Sequence, residues 1–359
     1  MTSQNIVNIR LSERANPHYG SIADIAGLHI GHFTSNQRLT GCSVVLAPQG
    51  AVGGVDVRGA APGTRETDLL DPSNLVDKVH AILLSGGSAF GLDAASGVMH
   101  WLDERNIGFQ TGHGCVPIVP AAVLFDLPMV REGDNPKIRP DAAAGYAACE
   151  DALYQKPLSA SAMRPMVPPM SGNVGAGAGA VVGKLFGLNR AMKGGIGHAL
   201  VRVGPWQVAA MVACNAVGDV IDPLTGQALA GARSSDGTRL LNTQQALLAG
   251  QSASAPLSGT NTTIGVVATN ATLNKAQAKR LAMSAHDGLA RSIRPAHTTL
   301  DGDTLFAMAT CAETTPADMM LLTVMAAEAT AQATVNAILF ANGVHTVKGF
   351  LPASLELNP

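Results

Sequence analysis

Residues 260–269 read Thr-Asn-Thr-Thr-Ile-Gly-Val-Val-Ala-Thr and join two very different parts of the chain. The stretch before them, 226–260, is polar and rich in small residues, which is typical of an exposed connector. From residue 263 to residue 269 the side chains are β-branched, small or apolar, a composition that predicts a buried strand. The Asn261–Thr262 bond therefore lies where an exposed connector meets the core.

A threonine at such a junction has a possible chemical use. Its hydroxyl can attack the carbonyl of the residue before it, and the resulting ester is then cleaved by water. Cleavage between Asn261 and Thr262 would give Thr262 a free α-amine, with an ordinary pKa of about 8, that can take the proton of its own hydroxyl. The same residues also suit the plain start of a strand, and the short motif alone favours that interpretation.

A second motif, residues 297–304 with the sequence His-Thr-Thr-Leu-Asp-Gly-Asp-Thr, precedes another predicted strand. Asp301 and Asp303 flank Gly302, which is the ordinary composition of a turn. If both carboxylates are buried together, they could orient a nucleophile or share a proton and separate their pKa values. A metal site is a weaker alternative, because two aspartates lack further ligands. His297 in this pattern predicts a packing or hydrogen-bonding histidine, not a base.

Two single polar residues also stand beside apolar segments. Lys184 follows two valines after the glycine-rich run 172–180. A partly buried lysine would have a lowered pKa and could accept a proton or stabilise an oxyanion, whereas an exposed turn is the alternative. Asn215 ends an apolar run, and its amide could donate to a developing oxyanion or begin a turn. The glycine-rich run lacks the spacing and the preceding strand of a phosphate-binding loop.

The rest of the chain interleaves predicted strands and helices. The strands are expected at 80–84, 198–203, 207–214, 263–269 and 304–310, the helices at about 90–102, 273–293 and 316–341, a loop at 157–169 and a turn at 219–223. This interleaving predicts layered sheets covered by helices, in the α+β or α/β class.

The composition excludes several classes of protein. The chain has 359 residues, 47% of them hydrophobic and 14% charged, so we expect a large core and no general disorder. The formal net charge is −2 and the sequence has no basic stripe, so it does not predict the positively charged surface that binds nucleic acid or a membrane. The five scattered cysteines predict small buried residues, with neither disulfides nor a zinc site. Residues 1–17 lack a signal-peptide core, so we expect a cytoplasmic protein, without cofactor or metal.

Five motifs, in order, resemble the P1 or S58 family of peptidases across nearly the whole chain. They are LSGGSAFGLDAASGV (84–98), GNVGAGAGAVVGK (172–184), CNAVGDVIDPLTG (214–226), NTTIGVVATN (261–270) and HTTLDGDTLFA (297–307). The family includes L-aminopeptidase/D-esterase enzymes, β-peptidyl aminopeptidases and nylon-oligomer (6-aminohexanoate-oligomer) endohydrolases. The resemblance implies an amide or peptide hydrolase that cuts its own chain.

The resemblance also implies a fold, a processing pattern and a set of site residues. The fold would be α+β, a four-layer αββα sandwich resembling that of N-terminal nucleophile hydrolases. Self-cleavage would give a large subunit, 1–261, and a small subunit, 262–359, which together form one αββα domain. Such heterodimers would self-associate, commonly as four, and the substrate would be a small amide or peptide. By position, the site residues implied are Asn261 before the cut, Thr262 as nucleophile, Asn215 on the oxyanion side, Lys184, and the acidic pair Asp301 and Asp303.

Within the family, Thr262, Lys184 and the aspartate pair resemble the nylon-oligomer branch. The aminopeptidase branch has a glutamate in place of the lysine, and that glutamate holds the substrate amine. Phe125 departs from the nylon-oligomer branch, which has a tyrosine there, so a hydroxyl contact near the nucleophile is missing. An alternative from another class is an unprocessed, non-catalytic small-molecule-binding protein that uses the glycine-rich turns around Gly86 and Gly175.

Overall fold

The computed structural model describes residues 20–154, 170–253 and 261–357. The strands of these residues are β1 (His29–Thr34), β2 (Gly41–Val57), β3 (Thr64–Arg65), β4 (Lys78–Ser85), β5 (Phe109–Thr111), β6 (Gly114–Val116), β7 (Ala121–Val123), β8 (Val181–Val182), β9 (Met192–Lys193), β10 (Gly195–Val203), β11 (Trp206–Asn215), β12 (Asp219–Ile221), β13 (Ala228–Ala230), β14 (Thr262–Ala271), β15 (Ile293–Arg294), β16 (Thr304–Glu313), β17 (Val344–Thr346) and β18 (Gly349–Leu351). The α-helices are α1 (Ala94–Asp103), α2 (Ala142–Tyr154), α3 (Thr243–Leu248), α4 (Lys275–Ser292), α5 (Met319–Leu339) and α6 (Ser354–Leu357).

The main sheet has nine strands and folds into two layers at β2. Its order is β10-β11-β14-β16-β2-β4-β7-β3, and β1 pairs with β2. The first half of β2 pairs with β1 and β4, and its second half pairs with β16. The register of β2 against β4 shifts between Leu46 and Ala51, which marks the bend. One layer therefore holds β10, β11, β14 and β16, the other holds β1, β4, β7 and β3, and β2 joins them.

A core cluster fills the space between the two layers. Side chains along β14 alternate, so Ile264 and Val266 join this cluster while Val267 lies on the opposite face of the sheet. The other layer contributes Ile82 and Leu84 of β4 to the same cluster. The predicted buried strand at 263–269 is therefore confirmed, and both of its faces are covered.

A pair of helices covers the outer face of each layer. Helices α4 and α5 pack on the β14 side through a cluster that includes Val267, Leu281 and Met325, and α1 and α2 pack on the layer of β4. At Gly197 of β10, an added Cβ would lie 2.2 Å from the carbonyl oxygen of Ala333, so α5 rests directly on the strand backbone. The order helix, sheet, sheet, helix confirms the predicted α+β fold with four αββα layers.

One predicted helix begins later than its sequence suggests. The apolar run from residue 90 predicts a helix, but a 3₁₀ turn, Ser88–Asp93, comes first and α1 begins at Ala94. Gly87 and Ser88 have φ angles of 83° and 55°, in the left-handed region, which cannot start an α-helix. The glycine turn therefore delays the helix by about one turn.

The connector predicted at 226–260 is partly built into the fold. It contains β13 and α3, and the carboxylate of Asp219 accepts hydrogen bonds from the Ala232 N–H at 2.8 Å and from the Thr243 hydroxyl at 2.6 Å. Asp219 thus starts β12 and anchors the connector, so its assignment to a turn was wrong. The rest of the connector, 254–260, lies outside the described residues, as do the predicted loop 157–169 and residues 1–17.

The cysteines follow the predicted burial only in part. All five are free thiols; Cys42, Cys149 and Cys214 are buried, but Cys115 and Cys311 are partly exposed, so the prediction was wrong for these two. Cys115 lies on the β5–β6 hairpin, whose residues are largely exposed, and Cys311 lies in the exposed last part of β16. Among the described helices, none has the length and apolar character needed to cross a membrane.

Candidate active site

The ends of three neighbouring strands bring the predicted polar residues to one edge of the sheet. Thr262 starts β14, and Asn215, the last residue of β11, is its antiparallel partner in the register. Strand β16 runs parallel to β14 and begins at Thr304, so Asp303 directly precedes it at the same edge. Sequence pattern predicted each strand separately, and the pairing of the strands places their polar ends together.

The hydroxyl of Thr262 lies against the carbonyl of the residue before it. Its Oγ1 donates to the carbonyl oxygen of Asn261 at 2.5 Å, and both residues are buried. Because a carbonyl bond is about 1.2 Å long, the hydroxyl oxygen is at most about 3.7 Å from the carbonyl carbon. The N–H of Gly302 donates to the same carbonyl oxygen at 2.9 Å. The peptide bond thus has a neighbouring nucleophile and a donor on its oxygen.

Two buried carboxylates face this peptide bond from the 301–303 segment. Asp303 accepts the Thr263 N–H on Oδ1 at 2.7 Å and the Nδ1 of His297 lies 2.8 Å from Oδ2. Asp301 accepts both the N–H and the hydroxyl of Thr298 on Oδ2, at 2.8 and 2.6 Å. Burial, followed by the charge of Asp303, raises the pKa of Asp301 to about 6. The acidic pair is therefore part of the site and not an exposed turn.

Lys184 and Asn215 form the opposite side of the site. The Nζ of Lys184 donates to the backbone oxygen of Asn215 at 3.0 Å and to its Oδ1 at 2.9 Å. Burial lowers the pKa of Lys184 to about 7, against the charge of Asp301, which raises it. Since the Val181 N–H also donates to Oδ1, at 3.0 Å, the amide nitrogen of Asn215 faces the Phe125 carbonyl, 3.3 Å away. Lys184 is partly buried, which agrees with one of the two alternatives that its sequence position left open.

A backbone segment that the sequence analysis missed closes the site. The N–H groups of Arg58 and Gly59 donate to the Asp303 carbonyl at 3.0 and 3.1 Å, and the Ala61 N–H donates to the Asp301 carbonyl at 3.0 Å. An added Cβ on Gly59 would lie 2.2 Å from the Asp303 nitrogen, so only glycine fits there. This segment acts through its backbone, and Gly59 was its one recognisable signal in the sequence.

The described residues give no metal centre at this site. Among them, no group of three or more histidine, cysteine, aspartate or glutamate side chains is arranged to hold a metal ion. The candidate residues instead bring a hydroxyl, two carboxylates, a lysine and an amide to one edge of the sheet. Such a set is suited to acyl transfer, in which a nucleophile attacks a carbonyl and charge develops on its oxygen.

Comparisons with known proteins find related sequences over most of the chain. The model of Peptidase family S58 matches residues 20–351. A Mycobacterium leprae (strain TN) protein described as an uncharacterized aminopeptidase is 47% identical over 303 residues, which cover 81% of this chain and 78% of the relative. The 6-aminohexanoate-oligomer endohydrolase of Kocuria sp. (strain KY2) is 33% identical over 290 residues, which cover 80% of this chain and 74% of the relative.

Solved structures show the same fold at low sequence identity. The L-aminopeptidase D-Ala-esterase/amidase of Ochrobactrum anthropi, described as a variant of the Ntn hydrolase fold, has a TM-score of 0.65 at 18% identity. The match covers 93% of this chain and 90% of that one. The likeness supports the fold class, and at this identity it carries no statement about substrate.

Proposed function

The chain belongs to peptidase family S58, and we propose that it is a self-processing amide hydrolase whose nucleophile is Thr262, freed as an N-terminal residue by cleavage after Asn261. One observation carries the proposal: the Thr262 hydroxyl lies 2.5 Å from the Asn261 carbonyl oxygen. The Gly302 N–H, 2.9 Å from the same oxygen, is placed to stabilise negative charge that develops there.

Self-cleavage begins with attack of the Thr262 oxygen on the Asn261 carbonyl carbon. Asp301 takes up the hydroxyl proton, since its pKa of about 6 leaves it ionised at neutral pH and its Oδ1 makes no hydrogen bond within the described residues. The C–N bond then breaks, the nitrogen takes the proton, and the acyl group rests on the hydroxyl oxygen as an ester. Water hydrolyses the ester, which leaves a carboxylate on Asn261 and a free amine on Thr262.

The same residues then serve the hydrolysis of a substrate. The α-amine of Thr262 accepts the hydroxyl proton as the oxygen attacks the substrate carbonyl, and it returns that proton to the leaving amine. In this proposal the second hydrogen of the Asn215 amide and the Lys184 ammonium stabilise the oxyanion. Water then releases the acyl group from Thr262 and restores the hydroxyl.

The two products of self-cleavage, 1–261 and 262–359, stay in one domain in this proposal. Strands β14 and β16 of the small subunit pair with each other, and each also pairs with a strand of the large subunit, β14 with β11 and β16 with β2. Their separation from the large subunit would open the centre of the sheet and expose both cores. We further propose that the processed heterodimers assemble as tetramers, which native mass spectrometry measures directly.

The substrate in this proposal is a small amide: a peptide or an oligomer of an ω-amino acid. The family relatives described as an aminopeptidase and as a 6-aminohexanoate-oligomer endohydrolase support this class. A panel of α-peptides, β-peptides and ω-amino-acid oligomers, with product analysis by mass spectrometry, identifies the preferred member and distinguishes endo- from exo-cleavage.

The first prediction tests the nucleophile. Thr262→Ala removes the attacking hydroxyl, so we expect the chain to stay intact and to hydrolyse no amide. Thr262→Ser keeps the hydroxyl and should still cleave, and Thr263→Val, which changes the neighbouring residue while keeping its shape, should cleave as the native chain does. Denaturing electrophoresis and N-terminal sequencing check this, with Thr-Thr-Ile-Gly expected at the start of the small fragment. A native chain that remains intact after long incubation would overturn the proposal.

A further inference from the structure

Behind the acidic pair lie two histidines, in edge-to-face contact, that the proposed mechanism does not use. The ring of His297 is largely buried, and its Nδ1 lies 2.8 Å from the Oδ2 of Asp303. Its backbone N–H also donates to this oxygen, at 3.3 Å. The ring of His286 from α4 contacts it edge to face, with ring centroids 4.8 Å apart and planes at 69°. The Nε2 of His286 lies 2.9 Å from the carbonyl oxygen of Asp56.

The pKa values of the two rings are shifted in opposite directions. His286 must carry its proton on Nε2 to donate to the Asp56 carbonyl, and burial lowers its pKa to about 4, so this ring is neutral. Burial would also lower the pKa of His297, but the hydrogen bond and charge of Asp303, together with the His286 carbonyl, outweigh it, and the net pKa is raised. The Nε2 of His297 is buried without a well-aligned hydrogen bond among the described residues.

Other titratable groups around His297 come from three elements and influence its pKa more weakly. They are His286 and Asp287 on α4, Asp56 and Arg58 at the end of β2, and Asp301 beside Asp303. Arg58 disfavours a charged His297, but it is partly exposed and already bound to Asp56 at 2.8 Å. Asp303 alone among these groups bonds directly to the imidazole ring of His297. The hydrogen bond between the His297 ring and Asp303 is therefore the main influence on the position and pKa of this ring.

Asp303 also bonds to the backbone beside the nucleophile. Its other oxygen accepts the N–H of Thr263, the residue directly after Thr262. His297 itself has a φ of 54°, a left-handed conformation in which asparagine, aspartate and histidine are the most frequent residues other than glycine. We propose that His297 is a positioning residue: through the hydrogen bond of its ring Nδ1 to Asp303, it fixes the carboxylate that holds the Thr263 amide and so aligns Thr262 for attack. This inference rests on the proposed function.

The charge state is tested first, without reference to activity. In the uncut Thr262→Ala chain labelled with ¹⁵N-histidine, an NMR titration should give His297 a pKa above the ordinary value of about 6.5. Asp303→Asn in the same background should lower that pKa. Equal values for His297 in the two chains would overturn the paired state and, with it, the inference.

The positioning role is tested with two variants at the same site. His297→Phe keeps the ring and removes the hydrogen bond, so self-cleavage during cell-free synthesis, and then kcat, should fall by about 10- to 100-fold with KM little changed. His297→Asn tolerates the left-handed backbone and presents an amide N–H near the former Nδ1, so it should stay within about threefold of the native rates. His198→Phe removes a different buried histidine and should keep the native rates.

The outcomes separate this inference from the proposed function. If native protein neither cleaves after Asn261 nor hydrolyses amides, the proposed function fails, and the inference fails with it. If native protein does both and His297→Phe does so at the same rates, the inference alone fails. A lower melting temperature of His297→Phe with unchanged kcat, or an asparagine variant as slow as the phenylalanine variant, also contradicts it.

Discussion

Gly302 shows how little room the site leaves for a side chain. An added Cβ would lie 2.4 Å from the Ala61 carbonyl oxygen and 2.8 Å from the Oγ1 of Thr262. Its N–H, meanwhile, donates to the Asn261 carbonyl. The glycine between the two aspartates is therefore needed for close approach of the backbone to the bond that we propose is cut.

We predict that Gly302→Ala slows self-cleavage by at least about 100-fold, because the methyl group displaces either the N–H donor or the nucleophile. The rate is measured by the appearance of the small fragment after cell-free synthesis. Gly112→Ala is the matched control, since its Cβ meets nothing within 4 Å, and it should cleave at the native rate. Cleavage of Gly302→Ala at the native rate would remove Gly302 from the mechanism.

Lys184 is the residue on which substrate charge should depend. Its pKa of about 7 leaves a substantial fraction charged at neutral pH, close to Asn215 and under the influence of Asp301. A positive charge at this place disfavours a substrate that carries a free ammonium near the scissile amide. The sequence resemblance suggested the same conclusion through the missing glutamate.

We therefore expect weak hydrolysis of amino-acid p-nitroanilides by the native protein. Lys184→Glu should lower KM for these substrates by about tenfold, because attraction of the substrate ammonium replaces repulsion, while kcat falls because the oxyanion loses a donor. Lys348→Glu makes the same charge change at an exposed position and should leave the rate unchanged. The expectation is contradicted if native protein cleaves the p-nitroanilide efficiently and Lys184→Glu does not.

At the scale of elements, helix α4 illustrates how local sequence sets a boundary. Asn274 caps its start by accepting the Gln277 N–H at 2.9 Å, and the Gln277 side chain accepts the Asn274 N–H at 3.0 Å. This reciprocal pair satisfies two backbone N–H groups that the helix leaves free. The helix predicted at 273–293 runs from Lys275 to Ser292, close to the prediction, because the capping signal is local.

We predict that Asn274→Ala lowers the free energy of unfolding by about 1 kcal/mol through loss of the cap. Urea denaturation of the uncut Thr262→Ala chain measures the change without a mixture of processed forms. Arg280→Ala, an exposed position in the same helix, should change the stability by no more than about 0.5 kcal/mol. Equal effects of the two substitutions would show that the cap contributes nothing.

At the scale of the whole molecule, the site lowers the stability of the fold that carries it. Burial and the charge of Asp303 raise the pKa of Asp301 to about 6, above the ordinary value of about 4 for an unfolded chain. The folded state therefore binds this proton more tightly than the unfolded state. The resulting contribution to stability is complete below about pH 4 and is lost as pH rises through about 6.

Asp301→Asn removes the ionisation, and its side-chain oxygen can still accept from Thr298. In the uncut Thr262→Ala background we predict a gain of about 1–2 kcal/mol in unfolding free energy at pH 7.5 and almost none at pH 4. Hydrogen bonds from Ser234 and Thr238 lower the pKa of Asp236 to about 2, so Asp236→Asn should instead destabilise the chain at neutral pH. Urea denaturation at both pH values measures these changes in unfolding free energy. The prediction is contradicted if the Asp301→Asn chain is less stable than its parent at pH 7.5.

The amino-acid sequence was sufficient for features that depend on neighbouring residues. The local pattern of apolar residues predicts four strands and two helices, because the spacing of apolar side chains shows which face of each element is buried. These elements are β10, β11, β14, β16, α4 and α5. The S58 motifs gave the family and the four-layer fold. The Asn261–Thr262 bond, Lys184, Asn215 and the two aspartates were also selected from sequence, and their catalytic roles stay predictions.

The tertiary structure was needed wherever distant residues meet. Thr263 and Asp303 are 40 positions apart, and Lys184 and Asn215 are 31 apart, so no local pattern links them. The bend of β2 and the hydrogen bond from Gly302 to Asn261 likewise depend on segments that lie far apart in the sequence. Burial at that edge then moves the pKa values of Asp301 and Lys184 towards neutrality, and such shifts follow from desolvation and neighbouring charge, which only the packed chain defines.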